Sequence, residues 1–202
     1  MQPISPASAC SARWQRWPPC ASAVSAERLL PGLLAVLLVT ANLLPGEAVE
    51  WRRGAIGHFE LWRLWTGQFC HWSGLHLAGN LAAAAAIGVI AGRPVRRWLA
   101  ALPLAAPLLS LFLLLAAPGL ESYRGLSGLV GVLVAAAVVE GGTPGRLLGL
   151  AYLGKLVFDA TTGSGSALLP AGIDVTWAAH LGGLLIGAAL AVAFRIQDRH
   201  PR

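Results

Sequence analysis

Charge is scarce in this chain. Asp, Glu, Lys and Arg make up 12% of its 202 residues against 56% hydrophobic residues, too little polar surface to clothe a soluble globular domain. Lysine occurs once, at Lys155, and the net charge is +6 because arginine supplies the rest of the basic residues. Such a balance suits nucleic acid when the charges form a run or a face, and here they sit in short segments between apolar stretches. Anionic headgroups account for that placement better, so membrane lipids are the expected partners and nucleic acid is not. Cysteine is rare too. Cys10, Cys20 and Cys70 make neither a CxxC pair nor a framework, and neither a metal site nor a structural disulfide is assigned to them.

What the chain has in abundance is apolar sequence in long runs without the polar stripe of a water-exposed helix. Six runs read as membrane spans: 29–44, 74–91, 98–117, 126–139, 147–160 and 175–194. The first is a retained span rather than a signal peptide, since no small-x-small cleavage site comes right after it. The segment 45–73 carries Trp51, Trp62, Trp65 and Trp72, a composition for the interfacial zone rather than for crossing it. Pro103 and Pro107 in the third span require neighbours to satisfy the carbonyls they free. Residues 1–26 read as a disordered cytoplasmic lead, 27–195 as one all-α, six-helix membrane domain, and 196–202 as a basic cytoplasmic tail. Six spans place both termini on one side, and most arginines fall there, which makes that side cytoplasmic.

The fourth span is short. Fourteen residues reach roughly 21 Å, less than a hydrocarbon core of about 30 Å, so one end stops inside the membrane. With its C-terminal end at the cytoplasmic face, Gly125, Ser127 and Gly128 lie below the outer surface, where non-helical backbone requires a water-filled cavity. A serine at a helix N-terminus there meets free backbone N–H groups and the positive end of the helix dipole, both suited to a developing oxyanion. His180, early in the sixth span and on the same side, is the candidate base. Gly183 and Gly187 on its helix, with Gly128 and Gly131 opposite, let the two backbones approach closely. Taken singly, each residue has a plainer reading: the serine bonds to an i−4 carbonyl and the histidine packs as a hydrogen-bonder. Their shared depth, side and glycine surroundings favour chemistry.

His76 and Asn80 form a second group, spaced i and i+4 on one helix face. Both are neutral donors able to join the Ser127 amide around an oxyanion. A metal reading of His71 and His76 lacks a third ligand at useful spacing, and no metal or cofactor is expected.

His71, Ser73, His76 and Asn80 on the second span, Gly125, Ser127 and Gly128 on the fourth, and Ala179, His180, Gly183 and Gly187 on the sixth resemble the rhomboid intramembrane proteases over about residues 60 to 195. The resemblance implies Ser127 and His180 as a catalytic pair, with His76 and Asn80 stabilising the oxyanion. Residues 62–67 and 123–128 are similar to the rhombosortase branch, as are Lys155 and Asp159 in the fifth span. That branch implies exported substrates with a C-terminal Gly-Gly sorting tail made of a small-residue motif, a hydrophobic helix and a basic end. One departure concerns Gly131: many rhomboids carry there a tyrosine that packs on the catalytic histidine, which leaves open how this imidazole is held. Lys155 and Asp159 either neutralise each other or recognise substrate or lipid. Tyr123 and Arg124 are candidate interfacial anchors, the favoured reading for Arg124, with substrate or lipid recognition as its alternative.

The expected function is an intramembrane serine endopeptidase of a bacterial inner membrane, its site opening to the outer side. Three alternatives compete with it: a general rhomboid cutting single-span proteins, a catalytically dead relative that binds membrane clients, and a transporter or channel. The presence of both Ser127 and His180 argues against the second, and the lack of a visible inverted repeat against the third.

Overall fold

The computed structural model describes residues 26–162, 168–170 and 176–199. The expectations for residues 1–25 and for the end of the tail, 200–202, lie outside them. In chain order the elements are α1 (Ala26–Leu43), α2 (Gly46–Val49), β1 (Trp51–Arg52), α3 (Arg53–Gly57), α4 (Arg63–Thr66), α5 (Gly74–Ala91), α6 (Val95–Ala116), β2 (Ser122–Tyr123), α7 (Ser127–Glu140), α8 (Gly142–Thr162) and α9 (Trp177–Arg199).

Long helices stand where the six spans were expected, and three of them, α5, α6 and α9, are long and apolar enough to cross a membrane by length and composition. The helix α7 is apolar but short, and α8 carries Arg146, Lys155 and Asp159 along its 21 residues. Two boundaries differ from expectation. The fifth helix begins at Gly142, whose φ of 59° makes the corner after α7, and Pro144 sits in its first turn, where a missing N–H costs no intrahelical bond. The sixth continues to Arg199, through most of the segment read as a tail, and Arg97 on α6 holds Asp198 there at 3.0 Å.

Around α7 pack α5, α6, α8 and α9, so that every residue from Gly128 to Ala137 is buried. Large apolar side chains point the other way as well: Val89 and Leu115 are each 84% exposed and Leu150 66%. A surface of that kind is unfavourable in water and suits hydrocarbon, where helices associate through packing of small residues rather than by hiding apolar ones. The chain is a membrane protein by this exterior and by its helices.

The tryptophan-rich segment between α1 and α5 folds into short helices and a strand. Trp62 and Phe59 are exposed while Trp51 is fully buried, so one side of the segment faces outward and the other packs on the bundle. It also completes α6. Pro107 removes the donor that would bond the Pro103 carbonyl, and the Trp65 indole N–H donates to that carbonyl at 2.9 Å. At the end of α6 the Arg53 guanidinium donates to the carbonyls of Leu113, Leu114 and Ala117, and to that of Leu120 beyond, satisfying the acceptors every helix C-terminus leaves open.

Candidate active site

Ser127 is the first residue of α7, where the backbone N–H has no intrahelical acceptor. The loop before it is moored almost entirely by the tryptophan-rich segment between α1 and α5. Strand β2 pairs antiparallel with β1, Tyr123 opposite Trp51. The Gly125 N–H donates to the Gly67 carbonyl at 3.2 Å, and the Leu126 N–H donates to His71 Nε2 at 3.3 Å. Arg124 pairs with the buried Glu50 at 2.8 Å and lies over the Trp72 ring at 4.2 Å. Gly125 has φ +139°, and a β-carbon there would press on the His76 imidazole at 2.7 Å. Only glycine meets both conditions.

Tyr123 is buried, which corrects its reading as an interfacial anchor. Its hydroxyl donates to the Gly125 carbonyl at 2.8 Å, accepts from the Gly128 N–H at 3.2 Å and lies 3.3 Å from Ser127 Oγ. Burial raises its pKa, which keeps the phenol protonated and able to donate. The sequence offers no signal for this role, because a tyrosine beside an arginine at a span end has the composition of an anchor. Arg124 lines the cavity described below, but its charge is committed to Glu50.

His71 is a second mooring point. Its Nδ1 faces Asn42 Oδ1 at 3.3 Å while Nε2 accepts from Leu126, which sets the tautomer with the proton on Nδ1. Asn42 in turn donates to the carbonyls of Leu38 and Phe69. Burial first, and the neighbouring His76 second, push the His71 pKa down to about 4, so the ring is neutral at pH 7 as these bonds require. Cys70, next in sequence, is buried with its thiol pushed up to about 12 by desolvation, which makes it a poor nucleophile.

Facing α7, the helix α9 approaches to backbone contact. A β-carbon at Gly183 would overlap the Gly128 carbonyl, and one at Gly187 would meet the Val132 carbonyl at 3.0 Å. His180 lies one turn before Gly183, 8% exposed. The space that a larger residue at position 131 would fill is taken from α8: the Tyr152 hydroxyl lies 2.9 Å from where that β-carbon would sit, and its ring is centred 6.2 Å from the His180 ring. From α8 also comes Asp159, whose Oδ2 is 3.4 Å from His180 Nδ1 and which is ion-paired with Lys155.

Ser127, His180, His76, Asn80, Lys155 and Arg124 line one cavity of about 770 Å³. Its apolar part runs on past Ile87 and Val134 to Ile90 and Leu148. No hydrogen bond joins Ser127 to His180 in this arrangement, and such bonds commonly tighten when substrate binds. His76 Nδ1 and Asn80 Nδ2 are buried without hydrogen-bond partners among the described residues. Both side chains abut the position of Gly125, two residues before Ser127. Buried polar nitrogens are costly to leave unpaired. Among the described residues no three His, Cys, Asp or Glu side chains gather as a metal set.

A family model described as Rhomboid domain matches residues 58–197, the stretch that holds every element of this cavity from α4 to α9. Comparison with curated proteins and with solved structures gives no match.

Proposed function

Because this chain belongs to the rhomboid family, we propose that it is an intramembrane serine endopeptidase in which Ser127 attacks the scissile carbonyl and His180 is the base. The observation that carries this reading is the shared cavity: a serine at a helix N-terminus, a buried histidine on the abutting helix, and two unpaired nitrogens, from His76 and Asn80, beside the nucleophile loop. Nucleophile, base and oxyanion donors are the parts acyl transfer needs. Gly125, Gly128, Gly183 and Gly187 serve the reaction by letting backbones approach.

All six long helices cross the membrane in this proposal, with cytoplasmic termini in a bacterial inner membrane and the cavity opening outward. The substrate is an exported protein whose C-terminal hydrophobic helix begins at a Gly-Gly motif. Supporting this, the cavity has an apolar extension lined by Ile87, Ile90, Val134 and Leu148. Glycines unwind from a helix at a cost lower by about 1 kcal/mol per residue than alanine does. Either water or an amine on a lipid then resolves the acyl-enzyme.

The test is covalent labelling of the detergent-solubilised protein by a fluorophosphonate. Wild type should label, and Ser127→Ala and His180→Ala should not while remaining folded. Labelling retained in Ser127→Ala would assign another nucleophile, and no labelling of folded wild type would favour a client-binding role.

A further inference from the structure

A serine's base must present an unprotonated nitrogen to the hydroxyl, which for a neutral imidazole means that the other nitrogen carries the proton. At His180 that other nitrogen is Nδ1, buried and without a hydrogen-bond partner among the described residues. One acceptor stands within reach, Asp159 Oδ2 at 3.4 Å, on a carboxylate that is itself 6% exposed. At 3.4 Å the pair lies within hydrogen-bond reach once the ring N–H points at the carboxylate. Lys155, half-exposed, neutralises the same carboxylate from the cavity side, which is what allows a charged acid to sit at this depth. Tyr152 backs the imidazole where Gly131 leaves no side chain to do so.

We propose that Asp159 is a positioning residue for His180, so that the site works as a Ser127, His180 and Asp159 triad with Lys155 as counter-ion; this rests on the endopeptidase reading above. As Ser127 Oγ bonds to the scissile carbonyl carbon, its proton passes to His180 Nε2, and the carbonyl π pair moves onto the oxygen facing His76 and Asn80. The imidazolium so formed keeps Nδ1–H directed at the ionised Asp159, which stays deprotonated throughout. Collapse of the tetrahedral adduct breaks the C–N bond, and the Nε2 proton leaves with the amine. An attacking water or amine then bonds to the acyl carbon as its proton passes to Nε2, and collapse of this second adduct breaks the C–Oγ bond, the Nε2 proton returning to Ser127 Oγ.

A small probe separates this role from substrate recognition, because a fluorophosphonate touches only the nucleophile. Its labelling rate is measured on wild type, Asp159→Asn and the double variant Lys155→Met/Asp159→Asn, with thermal unfolding in detergent as the check on folding. Removing an orienting carboxylate in serine hydrolases costs up to about 10⁴-fold. The expected result is labelling at least about 100-fold slower in both variants, with a peptide substrate's kcat falling and its KM little changed. Recovery of the wild-type rate in the double variant would assign the loss to an uncompensated Lys155 charge and overturn the proposal. Wild-type labelling rates in both variants would overturn it too. Failure of folded wild type to label would remove the endopeptidase reading and this inference with it.

Discussion

The two halves of the candidate site are held by opposite means. On the Ser127 side an irregular loop is fixed by polar contacts from far along the chain: the Gly67 carbonyl, the His71 ring, the Glu50 carboxylate and the β1 strand. On the His180 side a regular helix is fixed by backbone contact through glycine, with one carboxylate from α8 beside the ring. Non-helical backbone at membrane depth must have every group satisfied by neighbours, whereas a helix satisfies its own and needs only a surface to lie against. The Ser127 loop therefore depends on the tryptophan-rich segment of short helices, and the placing of His180 depends on the size of a few residues.

Breaking the packing side should cost the most. Gly183→Leu puts a side chain into the Gly128 carbonyl and forces α9 from α7; the expected loss is about 3 kcal/mol or more of stability, read by unfolding in detergent, together with fluorophosphonate labelling. If stability holds and labelling persists, close approach of these helices is not what the site requires.

Breaking the polar side should cost less and should depend on pH. His71→Phe removes the partner of the Leu126 N–H and of Asn42, for an expected loss of about 1–3 kcal/mol and slower labelling. Because the folded-state pKa of His71 is depressed to about 4 from an ordinary value near 6.5, the unfolded chain takes up the proton first as pH falls. This residue's contribution is present above about pH 6.5, declines as pH falls from there to about 4, and changes little below. Comparing wild type and His71→Phe at pH 7 and pH 4.5 should show the difference shrinking at the lower pH; a constant difference would mean that the ring is not buried as a neutral base.

The mildest lesion is Tyr123→Phe, which leaves the ring in place and removes one hydroxyl. It should cost about 1 kcal/mol and leave Ser127 with altered hydrogen bonding, so the labelling rate is expected to change by less than about tenfold. A larger fall would make the phenol part of the reaction rather than of the loop.

Much of this molecule was legible in one dimension. The long helices and the grouping of Ser127, His180, His76 and Asn80 about one cavity follow from apolar run length and from residues spaced along single helices. Tyr123 was misjudged because exposure at a span end depends on what surrounds it, and here it lies in a buried cluster with Trp51, Leu113 and Ala179. The task of His71 was invisible for a similar reason: its two partners, Asn42 and Leu126, lie 29 and 55 positions away.

The amino-acid sequence by itself determined that the chain belongs in a membrane, where its helices run and that Ser127 and His180 stand near the starts of two of them, since hydropathy and helical period are local properties. Only the tertiary structure decided that Asp159, read along the fifth helix as the i+4 partner of Lys155, also faces His180 across a helix boundary. That contact is set by how α8 and α9 rotate about α7, a choice made by the summed packing of glycines and aromatics that no single stretch of sequence contains.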